Sequence, residues 1–168
     1  MPPYHIRSAR PSDLPVLPLI EQAAVTWFLD TPYAYLVDEG VVSGDVNLDH
    51  EFVWVVVDEH DYPIGFALVH LLDVSVHLHE LDVHPDYARQ GLGHRLIQTV
   101  ADWARTRGAT ALTLTTFDDI PWNGPYYARL GFHTLDLATI SPGLQAVRQA
   151  EQASGLPMER RICMQLDL

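Results

Sequence analysis

An α/β fold (α+β in its stricter naming), one mixed sheet flanked by helices, is what this sequence predicts, and three observations predict it. Short β-branched or alternating runs at Phe52–Val57, Ile64–Leu71, Val76–Val83 and Ala111–Thr116 read as strands. Leu92, Leu96, Ile97, Val100, Trp103 and Ala104 recur at spacings of three and four, the mark of an amphipathic helix. Strand and helix patterns interleave along the chain, which leads to a sheet covered by helices. With 168 residues there is enough chain for one domain, and folding at that size buries roughly 70% of the unfolded surface.

The elements follow in order. Tyr4 to Ala9 alternates weakly and opens the chain as a strand. Ser12 is placed to cap a helix whose first turn Asp13 favours, and Leu14, Leu17, Ile20, Glu21 and Ala24 continue it. Pro15 and Pro18 must sit early in that helix or kink it. From Trp27 to Asp49 the pattern breaks: Thr31-Pro32, Gly40 and Ser43-Gly44 signal turns around a short helical piece at Tyr33–Asp38. Glu59-His60-Asp61 and Asp73 are the turns that bound the second and third strands. Arg107-Gly108 supplies a basic last turn and a C-cap glycine to the amphipathic helix. Pro121 and Asn123 lead into a short helix carrying Tyr126 and Tyr127 and ended by Gly131. Phe132–Leu137 reads as a strand, Leu144–Ala153 as a helix and Arg161–Leu168 as the last strand, with 141–158 an elaboration between the last two strands.

Composition narrows the function. Ten basic residues against twenty-two acidic ones give a net charge of −12, the opposite of a nucleic-acid footprint and compatible with steering of cationic substrates. One cysteine, Cys163, excludes an internal disulfide and fits a reducing compartment; its place in a terminal strand makes it core rather than nucleophile. No apolar run approaches the ~18 residues of a membrane span, and the start shows no signal segment, so a soluble, cytoplasmic protein is expected.

The informative stretch is 77–94. Val76, Leu78, Glu80 and Asp82 fall on one face of the extended chain, and His77, His79, Leu81 and Val83 on the other. Pro85 ends the strand, and Gly91 and Gly93 bracket a tight turn into the helix. A helix start presents backbone N–H groups without intrahelical partners and a partial positive charge, and glycines let an anion approach. Arg89 adds a cation. The lysine and hydroxyl of a P-loop are missing, and the spacing is not that of a dinucleotide fingerprint.

Val83-His84-Pro85, then Arg89-Gln90-Gly91-Leu92-Gly93 and its helix, resemble the acetyl-CoA signature of GNAT-type N-acetyltransferases. Pro125-Tyr126-Tyr127-Ala128-Arg129-Leu130-Gly131-Phe132 resembles the Tyr-x-x-x-Gly-Phe block of the same superfamily. His77-Leu78-His79 with Leu81 and Val83 is similar to the His-Leu-His strand of arylalkylamine (serotonin) N-acetyltransferases. The chain departs from the family's pattern at Ala88, where Arg or Gln is usual.

The resemblance implies a GNAT-like single domain over 1–168, its mostly antiparallel sheet splayed between two strands. It implies acetyl-CoA as cosubstrate and no metal. The backbone at Leu81 would meet the thioester and that at Val83 the pantetheine arm. The amides of Gln90, Gly91, Leu92, Gly93 and His94 would hold the diphosphate, with Arg89 as helper. His77 and His79 would pass the amine's proton outward through water, being on one strand face about 6.6 Å apart along the chain. Glu80 competes as base from the other face. Tyr127 would protonate the leaving sulfur, and Tyr126 would pack. Trp27, Phe28, Tyr33 and Tyr35 would border the acceptor, a small primary amine such as an arylalkylamine or polyamine. A homodimer is compatible with the family. Three other readings stay open: a zinc site from His77, His79 and His84, a non-catalytic acyl-CoA sensor, and a peptide N-terminal acetyltransferase.

Overall fold

In the computed structural model, residues 3–38, 48 and 51–168 are described. Seven strands form one sheet: β1 (His5–Ser8), β2 (Phe52–Val57), β3 (Pro63–Leu72), β4 (Ser75–Val83), β5 (Ala111–Phe117), β6 (His133–Thr134) and β7 (Arg161–Asp167), in the order β1-β2-β3-β4-β5-β7-β6. The helices are α1 (Leu17–Val25), α2 (Tyr35–Asp38), α3 (Leu92–Thr106), α4 (Gly124–Arg129) and α5 (Pro142–Ala153). The fold is mixed α/β with a mostly antiparallel sheet: β1–β2, β2–β3, β5–β7 and β6–β7 are antiparallel and β4–β5 parallel. No helix among the described residues is long and apolar enough to cross a membrane. The turn signals at Gly40 and Ser43-Gly44 lie outside the described residues.

The chain divides into two compact units, residues up to Val69 with Glu80–Val100, and His70–His79 with Ala101–Leu168. In the first unit Leu17 and Ile20 of α1 bury themselves with Val53, Val55, Val57, Phe66 and Leu68, the inward-facing residues of β2 and β3. Burying such side chains contributes about 1.5–3 kcal/mol each. Ser12 does not cap a helix. It lies within a 3₁₀ turn, Pro11–Val16, that precedes α1. The carboxylate that closes this turn is Asp13, which accepts from the Arg10 backbone N–H at 2.6 Å and pairs with Arg7 at 2.7 Å. Pro18 sits in the first turn of α1, where the missing N–H removes no helical bond.

In the second unit β5 and β7 pair along their whole length, from Ala111–Asp167 to Phe117–Arg161. Ile140 and Leu144 cover Cys163 there, with Leu72 and Leu135 against them. Cys163 is fully buried and burial pushes its thiol pKa up, so it is inert core, as the sequence implies. The penultimate strand is shorter than its sequence predicts. After Thr134 the chain turns on Asp136, whose side chain accepts from the Ala138 N–H at 2.9 Å while its carbonyl accepts from the Thr139 N–H at 3.0 Å. The parallel register of β4 and β5 aligns Val76 with Leu112 and His77 with Thr113, and does not continue to Leu78 and His79. The two strands part there, which is the splay that the resemblance implies.

Candidate active site

The first unit holds the glycine turn. Pro85 cannot continue β4, and a 3₁₀ turn, Pro85–Tyr87, carries the chain to Arg89 and Gly91, both with left-handed backbone (φ +61° and +74°). Where a side chain on Gly91 would stand, nothing lies within 4 Å, so the glycine serves the backbone conformation and leaves room outside it. The Gly91 carbonyl accepts from the Arg95 N–H at 3.1 Å, starting α3. The amides of Leu92, Gly93 and His94 are thus first-turn donors with no helical carbonyl to serve, and the helix dipole adds positive charge. A diphosphate fits this backbone: open space, donors pointing one way, and a 15-residue helix behind them. Leu81 and Val83 precede it at the end of β4, half-buried.

Arg89 does not hang free. Its guanidinium stands over the Trp27 ring, 5.8 Å from the centroid. Trp27 and Phe28 lie in a 3₁₀ turn, Thr26–Asp30, and Phe28 accepts from the Thr31 N–H and hydroxyl through its carbonyl. Tyr33 is buried and Tyr35 exposed. Sequence reasoning missed an acidic group in the same unit: Asp82, hydrogen-bonded to Glu80, faces the charge of Glu21. Asp82 Oδ2 is buried without a hydrogen-bond partner. Burial chiefly pushes the Asp82 pKa up, to about 7; Glu21 adds to this and the Glu80 hydrogen bond opposes it.

The second unit holds the imidazoles. His77 is 1% exposed, whereas His79 is exposed to solvent. A third ring, His70, lies between them, its centroid 5.2 Å from that of His77 and 5.7 Å from that of His79. His70 was legible in principle: it stands three residues before Asp73, and His77 three after Val74, so a two-residue hairpin sets them across from one another. His77 Nδ1 lies 2.9 Å from the Thr113 hydroxyl, and the ring's tautomer decides which of the two donates. The His77 imidazole does not keep its ordinary pKa. Burial first, then the charges of His70, His79 and Arg161, pull it down to about 3. That holds the His77 ring neutral near neutral pH.

Tyr127 is carried by α4. Gly124 permits that short helix to lie against β5: a side chain there would come within 3.0 Å of the Phe117 carbonyl. The Tyr127 N–H donates to the Asn123 carbonyl at 3.0 Å, and its ring stands edge-on to Tyr126 (5.3 Å) and Phe132 (5.6 Å). Burial raises the Tyr126 phenol pKa, in keeping with a packing role. Among the described residues no group of three or more His, Cys, Asp or Glu side chains is disposed to hold a metal, so the ligand set of the zinc reading is not assembled there.

The model of the Acetyltransferase (GNAT) family matches residues 18–132. Solved structures share the fold over nearly the whole chain. A PaiA N-acetyltransferase from Thermoplasma acidophilum, in complex with coenzyme A, aligns with a TM-score of 0.70 at 14% identity, covering 98% of this chain and 99% of that one. A GNAT-family acetyltransferase from Staphylococcus aureus gives 0.70 at 16%, with 98% and 99% covered. The ribosomal-protein-S18-alanine N-acetyltransferase of Escherichia coli gives 0.64 at 22%, with 98% and 93% covered. The match spans the glycine turn, the imidazole strand and the tyrosine block together, and on it the chain belongs to the acetyltransferase (GNAT) family: it is an N-acetyltransferase whose cosubstrate is acetyl-CoA.

Proposed function

We propose that the acceptor is a small primary amine, an arylalkylamine or a polyamine, that enters as a cation and loses its proton to the imidazoles of β4 and β3. The observation that carries this reading is the cluster of His70, His77 and His79, three titratable rings within 6 Å of a neighbour, one of them held neutral by burial. The acidic trio of Glu21, Glu80 and Asp82 and the net charge of −12 support a cationic acceptor over a neutral or anionic one.

Acetyl-CoA supplies an activated acetyl group when bound. The backbone of Leu81 and Val83 meets its thioester and arm, and the amides of Gln90 to His94 hold the diphosphate, with Arg89 beside them. The imidazoles of His77, His79 and His70 take the amine's proton through water, His77 as a neutral relay. Tyr127 gives its phenol proton to the departing sulfur. Glu80 is less available as base because it shares a hydrogen bond with Asp82. The single buried cysteine fits a reducing, cytoplasmic setting.

The test is an acceptor screen that follows thiol release from acetyl-CoA with arylalkylamines, polyamines, amino acids, aminoglycosides and peptides. Turnover is expected with the first two classes. Release with peptide N-termini alone would replace the reading by an N-terminal acetyltransferase. Calorimetric binding of acetyl-CoA with no turnover on any acceptor would make the chain a sensor.

A further inference from the structure

Thr113 is a buried hydroxyl on β5, hydrogen-bonded to a buried ring on β4, and no motif in the chain marks it. It also lines a cleft of about 320 Å³ within the second unit, whose walls include Ser75, Thr110, Ile140, Leu144 and Gln165. Ser141 and Leu144 belong to the segment 141–158 and Ile140 immediately precedes it, so the elaboration between the last two strands forms one wall of the opening. A space this large, lined by the hydroxyls of Ser75, Thr110 and Thr113, has room and polar partners for water.

We propose that Thr113 is a positioning residue: it accepts a hydrogen bond from His77 Nδ1–H and so fixes the tautomer that leaves a lone pair on Nε2, the nitrogen Thr113 does not touch. A threonine hydroxyl has one proton to donate and two lone pairs. Thr113 lines the cleft, which has room for a water to accept from its hydroxyl and so leave the oxygen's lone pairs for the ring. The opposite arrangement, with the hydroxyl donating to Nδ1, would put hydrogen on Nε2 and close that atom to an incoming proton. The groups facing His77 all favour a neutral ring: His70 on β3, His79 on β4, and the Arg161 guanidinium on β7, itself paired with Glu151 of α5 at 2.6 Å. In a ring that stays neutral, the choice of tautomer decides whether Nε2 accepts or donates. The inference rests on the proposed role of His77 in removing the amine's proton.

The experiment reads the tautomer directly, by nitrogen NMR of the His77 ring in the intact protein at neutral pH, alongside kinetics of Thr113→Val and Thr113→Ser. Wild type is expected to carry hydrogen on Nδ1. Thr113→Val is expected to lose that preference, lower kcat by at least about tenfold with the KM for acetyl-CoA within about twofold, and change the pH profile. Thr113→Ser is expected to restore both tautomer and rate. Hydrogen on Nε2 in wild type, or a Thr113→Val protein with the wild-type tautomer and pH profile, overturns the proposal. If Thr113→Val does not fold, the wild-type spectrum and Thr113→Ser decide. A wild-type protein without turnover would remove the functional reading, while the spectrum would still decide the role of Thr113.

Discussion

The Arg89 guanidinium lies over the Trp27 indole, 5.8 Å from its centroid, so the residue next to the glycine turn and an aromatic from the opening helical region act as one surface. By sequence the two belong to different tasks, Arg89 to the diphosphate and Trp27 to the acceptor. The stacking holds the cation of a flexible side chain near the turn, which reduces the entropy lost when it meets an anion.

Arg89→Gly separates side chain from backbone. The left-handed φ of +61° strains any side chain, and glycine removes that strain while adding freedom to the unfolded chain. These terms offset, so thermal melting should stay within about 3 °C of wild type. The KM for acetyl-CoA should rise about three- to tenfold, the effect of losing one exposed charge-assisted contact. An unchanged KM in steady-state assays would remove Arg89 from the cosubstrate site.

Tyr127→Phe keeps the ring that packs edge-on against Tyr126 and Phe132 and removes only the hydroxyl. Turnover should fall about 10- to 100-fold, with acetyl-CoA affinity by calorimetry nearly intact. Wild-type turnover in the phenylalanine variant would exclude the acid role.

Two buried groups pull the pH dependence of stability in opposite directions. His77 is depressed to about 3 in the folded protein, so between its unfolded value near 6.5 and that value the unfolded chain binds the extra proton, and stability rises with pH. Asp82 is raised to about 7, so between its unfolded value near 3.8 and that value the folded chain binds the extra proton, and stability falls with pH. From pH 4 to 6.5 the two cancel in large part. Denaturant titrations should therefore show stability falling with pH in His77→Gln and rising with pH in Asp82→Asn, each by at most about 1.4 kcal/mol per pH unit. Parallel curves for both variants and wild type would show that neither group is perturbed.

Arg161 and Glu151 form a mostly buried pair at 2.6 Å that also holds the Thr115 hydroxyl. Removing one partner leaves a buried charge alone. Glu151→Ala should destabilise the protein by about 3 kcal/mol, and Glu151→Leu with Arg161→Met should recover most of that loss. Equal destabilisation of the single and double variants would show that packing, not charge, sets the cost.

By itself the sequence determined the strand, glycine turn and helix from Ser75 to Thr106, the strand before Tyr127's helix, and the residues on which the family resemblance stands. Those features are local: a period of two or 3.6, a proline that cannot donate, a glycine that accepts a left-handed φ. It misplaced the first helix cap and overran β6, because Arg7 recruits Asp13 and because Asp136 closes a turn on its own neighbours. Only the tertiary structure decided that Thr113 holds the buried ring and that Glu21 reaches Asp82. Each of these depends on strand register or on burial, and both are properties of segments far apart in the chain. An imidazole's ordinary pKa can be read from its letter in the sequence; the shift that makes His77 neutral comes from the residues packed around it.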